Sequence, residues 1–239
     1  MSMVVPFVKT LLPNHSIPLP VLNGPFRGAR IHLNPRCSLR KVFGIYEHEL
    51  NGWIETVLPR VNTVLDVGAN DGYFTFGCAA AFRRLGKSAK IIAFEPLKQH
   101  IEELQTSIKN QPQDKIQFSL HNCLVGAEVK SGMMTLDALS EAIPKGIAHR
   151  IDTSYTQDNA LIKIDVEGAE LEVIEGASLW LNPANYFLIE VHHESFLEIL
   201  TQNFLAHGIK LKQVNQQPLP LIGRETRSEL NWWLVSDIS

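Results

Sequence analysis

The chain has 239 residues, 45% hydrophobic and 20% charged, which is enough for a self-sufficient core and excludes disorder, fibrous repeats and small disulfide scaffolds. Against 22 Lys and Arg stand 25 Asp and Glu, a formal charge of -3 with no basic block, which argues against a non-specific nucleic-acid binder. Three widely spaced cysteines, Cys37, Cys78 and Cys123, form no Cys-x-x-Cys, as expected for a reducing cytosol and no zinc site.

The apolar start, 3–12, contains Pro6 and Lys9 and lacks a basic n-region and a small-residue cleavage site, so no signal peptide is expected. No run of about 18 apolar residues occurs, so no membrane-spanning helix is expected and the cytoplasm is the expected location. Residues 1–30 hold Pro6, Pro13, Pro18, Pro20 and Pro25, which favour extended chain. Residues 1–43 therefore read as an arm laid on a main domain, 44–239, and covering its acceptor pocket. Leu50, Trp53, Ile54, Val57 and Leu58 recur at helical spacing, which predicts one amphipathic helix over 46–58, ending before Pro59.

From residue 61 the pattern alternates. Short apolar runs at 61–67, 89–94, 115–120, 160–166 and 186–191 predict strands buried on both faces. Between them, 72–85, 97–110, 169–181 and 195–207 predict helices, the first and last stopped by Gly86 and Gly208. Such alternation means α/β architecture, a parallel sheet with right-handed crossovers and helices on both faces. Two further strands, 209–214 and 231–235, have no helix between them and should pair antiparallel at the sheet edge. Their connection, 216–229, carries Gly223, Arg224 and Arg227 and reads as a loop.

The turn after the first of these strands, Asp66-Val67-Gly68-Ala69-Asn70-Asp71-Gly72, lies where open α/β sheets bind ligands. A dinucleotide site would need G-x-G-x-x-G for a pyrophosphate, which Asp66 and Asp71 would repel. Carboxylates instead attract an ammonium and a sulfonium, so the turn suits S-adenosylmethionine, with Gly68 letting the ligand approach the backbone. Glu95-Pro96 ends the next strand, where an acid can accept bonds from both ribose hydroxyls. Asn122 and Cys123 reach the same edge, beside the adenine.

These motifs, with Gly44-Ile45-Tyr46-Glu47, Thr135-Leu136-Asp137-Ala138-Leu139, Ile162-Lys163-Ile164-Asp165-Val166-Glu167-Gly168-Ala169-Glu170 and Ile189-Glu190-Val191-His192, resemble the FkbM-type methyltransferases over residues 44–192. The resemblance implies a class I methyltransferase (Rossmann-like) fold, a mostly parallel seven-stranded sheet with an antiparallel last strand. It also implies O-methylation of a small or medium acceptor, a sugar or secondary metabolite. The cofactor set is then Glu47, Asp66, Gly68, Asn70, Gly72, Glu95, Pro96, Asn122, Cys123 and Asp165. The stretch between Asn122 and Thr135 is short for the family, so a substrate-framing hairpin is expected to be missing.

Residues two apart on a strand share a face, which gathers Lys163, Asp165 and Glu167 with Glu190 and His192 of the neighbouring strand. Lys163 is expected to pair with Glu190, and Glu167 to cap the helix at Gly168. An alcohol acceptor must lose a proton, so His192 is the expected base, with Asp165 or Glu167 orienting the hydroxyl. Mg²⁺ on Asp165, Glu190 and His192 is the alternative, opposed by the charge of Lys163. N-methylation, or cofactor binding without turnover, would fit the same turn.

Overall fold

The apolar runs become one seven-stranded sheet in a computed structural model that describes residues 12–141, 159–219 and 231–238. In chain order, β1 (Ile17–Pro20) and β2 (Arg30–Leu33) form a hairpin, followed by α1 (Leu39–Val42), α2 (Asn51–Val57), β3 (Thr63–Val67), α3 (Tyr73–Arg84), β4 (Ala89–Phe94), α4 (Lys98–Lys109) and β5 (Ile116–His121). Then come two-residue strands β6 (Leu124–Val125) and β7 (Met133–Met134), α5 (Ala138–Glu141), β8 (Ala160–Ile164), α6 (Glu170–Glu175), β9 (Tyr186–Val191), α7 (Glu194–Ala206), β10 (Leu211–Val214) and β11 (Trp232–Ser236).

The sheet order is β10-β11-β9-β8-β3-β4-β5. Neighbours from β5 to β9 are parallel, and β11 runs antiparallel to both β9 and β10. This is the class I methyltransferase sheet. Side chains alternate between two cores, because both faces are covered. Val64, Ile91 and Leu161 join α2, α3 and the hairpin on one face. Leu65, Ile92 and Ile162 join α6 and α7 on the other. The order therefore reverses between β3 and β8, and a crevice opens beyond their carboxyl ends.

The arm is a folded part of the first core. Val21, Phe26, Ala29, Ile31 and Leu33 are buried there, and the Phe26 ring packs edge-on to Tyr73 and Phe74 at 5.2 and 5.6 Å between centroids. Gly77 makes room for it: a Cβ there would lie 2.3 Å from Phe26 Cγ. His32 Nδ1 lies 3.0 Å from Ser107 Oγ of α4. The described part of the arm thus lies on the α3 and α4 layer, and residues 12–43 supply none of the described lining of the crevice. Residues 1–11 of the arm expected to cover the acceptor pocket lie outside the described residues.

Two predicted boundaries move for local reasons. The 46–58 helix is α2 flanked by single 3-10 turns, His48–Leu50 and Leu58–Arg60, and the second runs through Pro59. Proline opens a helical turn where its missing N–H would be unpaired anyway. The 169–181 helix stops at Gly176, and a 3-10 turn, Ser178–Trp180, restarts it. Asp137 causes the restart, accepting hydrogen bonds from Ser178 Oγ (2.6 Å) and Leu179 N (2.9 Å). Residues 124–134 hold β6 and β7 paired parallel. Gly223, Arg224 and Arg227 lie outside the described residues. Among the described residues no helix is long and apolar enough to cross a membrane.

Candidate active site

At the crevice is a cavity of about 410 Å³, within the usual range for small-molecule sites. Its wall comes from the turns after four adjacent strands: Val67, Gly68 and Asn70; Phe94 to Leu97; Cys123 to Val125; and Asp165 to Glu167. The β3 turn is tight because Gly68 has φ +83 and Asn70 φ +49, a left-handed conformation that asparagine tolerates better than most residues. A Cβ on Gly68 would stand 1.9 Å from the Asp165 carbonyl oxygen. The glycine therefore admits the neighbouring chain, where the sequence suggested that it admits the ligand.

Glu95 is buried at the end of β4. Its Oε2 accepts the Asn70 N–H at 2.8 Å and its Oε1 the Leu97 N–H at 2.9 Å. Each carboxylate oxygen keeps a further acceptor direction, and the apolar walls Phe94, Leu97, Leu124 and Val125 stand around it. A fixed acceptor pair in a slot of aromatic and aliphatic side chains fits a ribose and an adenine. The residues present therefore fit S-adenosylmethionine, whose ribose hydroxyls would donate to Glu95 and whose base Cys123 would adjoin.

Other residues of the expected cofactor set lie behind the wall. Asn122 Nδ2 donates to Glu95 O (2.9 Å) and Pro96 O (3.0 Å), bracing that loop. Gly72 starts α3 beside Phe76 and Leu104. Asp66 is buried beneath the turn, accepting from Thr75 Oγ1 at 2.6 Å. Asp71 is engaged by Lys41 Nζ at 2.5 Å, and Lys41 also sits 4.9 Å from the centre of the Tyr46 ring. Glu47 does not line the cavity, but its charge acts on Lys163.

Lys163 is register partner of Asp66 and faces the same way. Its Nζ lies 3.3 Å from Asp66 Oδ1 and 3.2 Å from Asp165 Oδ2, and donates to Gly68 O at 2.9 Å. Burial works against its charge, but the carboxylates of Asp165 and Asp66 outweigh burial and hold the ammonium above its ordinary pKa. Burial pushes the Asp66 carboxyl up, and Lys163 and Thr75 offset this only in part. The expected Lys163 pairing with Glu190 is corrected: Glu190 accepts instead from Asn231 Nδ2 at 3.1 Å.

His192 and Asp165 do come together. His192 Nε2 lies 4.0 Å from Asp165 Oδ1 and 3.4 Å from Glu167 Oε2. Glu167, at φ +53 with its side chain 86% exposed, does not cap Gly168, whose N–H goes to Glu170 Oε1 at 2.9 Å. The same oxygen stands 2.6 Å from His192 Nδ1, so Glu170 belongs to this group although spacing alone did not single it out. A glutamate in the first turn of a helix reads as an ordinary dipole partner, and only its place in the matched motif marked it. Burial pulls the imidazole down, but the Glu170 hydrogen bond and the charges of Glu190, Glu170 and Glu167 together raise its pKa. Asp165, Glu190 and His192 each bring one donor atom within 4.8 Å of the others. Lys163 already supplies positive charge to Asp165 there.

The methyltransferase FkbM domain matches residues 66–208 of the chain. No curated protein matches it. Among solved structures, methyltransferase FkbM from Methylobacillus flagellatus KT superposes with a TM-score of 0.52 at 18% identity, over 74% of this chain and 44% of that one, so the chain spans less than half that protein's length. Precorrin-6y C5,15-methyltransferase from Geobacter metallireducens GS-15 gives 0.46 at 10% identity, over 76% and 84%. At such identities the likeness is one of fold.

Proposed function

The chain belongs to the FkbM methyltransferase family, and on that premise we propose that it uses S-adenosylmethionine to methylate a hydroxyl of a small or medium metabolite. The observation that carries the hydroxyl is the imidazole of His192 beside Asp165, which lines the cavity. When bound, the cofactor supplies an electrophilic methyl on a sulfonium. The protein's own work is placement and proton removal. Glu95 would hold the ribose of the bound cofactor. Asp165, paired with Lys163, orients the acceptor hydroxyl, and His192 Nε2 accepts its proton. Holding the reacting atoms about 3 to 3.5 Å apart and in line supplies most of the acceleration.

The test is transfer of labelled methyl from S-adenosylmethionine to a panel of sugars, hydroxylated metabolites and matched amines. Transfer to hydroxyls that falls about 10²- to 10⁴-fold in His192→Gln supports the reading. Transfer confined to amines and indifferent to that substitution would replace it with N-methylation, since an unprotonated amine attacks through a lone pair it already has.

A further inference from the structure

Glu170 opens α6 with none of its surface exposed, a rare environment for a carboxylate. Its Oε1 serves both Gly168 N (2.9 Å) and His192 Nδ1 (2.6 Å). Its Oε2, also buried, has no hydrogen-bond partner among the described residues. Leaving one buried polar atom unpaired costs about 1 to 3 kcal/mol. Capping Gly168 does not account for that cost, since a short polar side chain satisfies a helix start without burying a charge. What the buried carboxylate adds is a fixed, charged acceptor for one imidazole nitrogen.

We propose that Glu170 is a positioning residue, which keeps the neutral His192 ring in the tautomer with hydrogen on Nδ1 and so leaves Nε2 as the proton acceptor facing the methyl-transfer site. This deepens the hydroxyl-methylation reading and rests on it. Nδ1 points at Glu170, away from the cavity, while Nε2 looks toward Asp165 and Glu167, which line it. The opposite tautomer would set the Nδ1 lone pair against the Glu170 carboxylate in a buried place, an arrangement that repels. The groups facing the ring are Glu190 from β9, Glu170 from α6, and Asp165 and Glu167 from the turn after β8, with Lys163 behind Asp165. Of these, Glu170 alone stands at hydrogen-bond distance from Nδ1.

The experiment is nitrogen-detected NMR of the histidine rings in the whole protein without added ligand, with His192 assigned from the spectrum of His192→Gln. Above its titration midpoint the wild-type ring is expected as a single Nδ1–H tautomer. Glu170→Gln, nearly the same shape without the charge, should lower the midpoint and mix the tautomers. Glu172→Gln, an exposed carboxylate of the same helix, should change neither. A wild-type ring with its hydrogen on Nε2 overturns the proposal, as does a folded Glu170→Gln protein with unchanged midpoint and tautomer. The spectrum needs no acceptor, so this failure is separable from failure of the hydroxyl reading, which would show as methyl transfer confined to amines and indifferent to His192→Gln.

Discussion

Glu95 holds two backbone N–H groups and faces the cavity with what acceptor capacity remains. Glu95→Ala removes the charged acceptor and leaves both N–H groups unpaired, so S-adenosylhomocysteine affinity should fall by about 1.5 to 3 kcal/mol, read by calorimetry. Unchanged affinity would place the ribose elsewhere. His192 has a pKa raised above the usual value of about 6.5, with burial opposing and the Glu170 bond and surrounding carboxylates prevailing. A raised value means that the protonated ring stabilises the fold fully below the unfolded pKa, and that this contribution is lost as pH rises through the folded one. His192→Gln should therefore cost more stability in mildly acidic than in alkaline buffer, a difference measured by urea titration at each pH; equal costs would contradict the pairing. At this scale strand spacing made the meeting of Asp165, Glu167 and His192 legible. Glu170 was not, because it reaches His192 from 22 positions away through a helix start.

Among elements, the turn between β3 and α3 interlocks with the turn after β8 more tightly than either sequence motif shows. Gly68→Val puts a branched side chain at φ +83, where even the first carbon would meet Asp165 O at 1.9 Å. Asp165 N donates to Val67 O at 3.0 Å, so the two turns must part together. The substitution should destabilise the protein by several kcal/mol, in addition to weakening cofactor binding. A Gly68→Val protein with wild-type urea midpoint and poor binding would restore direct contact with ligand as the reason for glycine. The strands themselves were legible because continuous apolar runs need cover on both faces. The 3-10 restart after Gly176 was not, since it depends on Asp137, about 40 residues earlier in the chain.

On the scale of the whole molecule, the hairpin and the sheet share one core through α3. Removing residues 1–33 would uncover the surface now filled by Phe26, Ile31 and Leu33, each worth about 1.5 to 3 kcal/mol when fully buried. That truncation should lower Tm strongly or prevent folding; a stable truncated protein with impaired turnover alone would give the arm the role of a cover and not of core. The point substitution Phe26→Ala should cost about 3 to 5 kcal/mol by the same measure. Prolines announced extended chain in this segment. They could not announce its partner, because a flat spot at Gly77 becomes a socket only once Phe26 stands against it.

The position of β11 bears on how the molecule is born. Of the described strands it is the last to leave the ribosome, yet it lies between β9 and β10. Until it emerges, β9 presents an open row of N–H and C=O groups, and β10 has no strand to join. A nascent chain is therefore exposed to mispairing with its neighbours for the whole time needed to make residues 192 to 236, a hazard that a sheet completed in chain order would escape. When β11 does arrive, Trp233 enters the first core and Ser236 joins it to the rest, its carbonyl taking the Trp53 Nε1–H at 2.8 Å and its hydroxyl the Phe187 N–H at 2.9 Å. Cotranslational folding of the sheet thus ends on a single insertion.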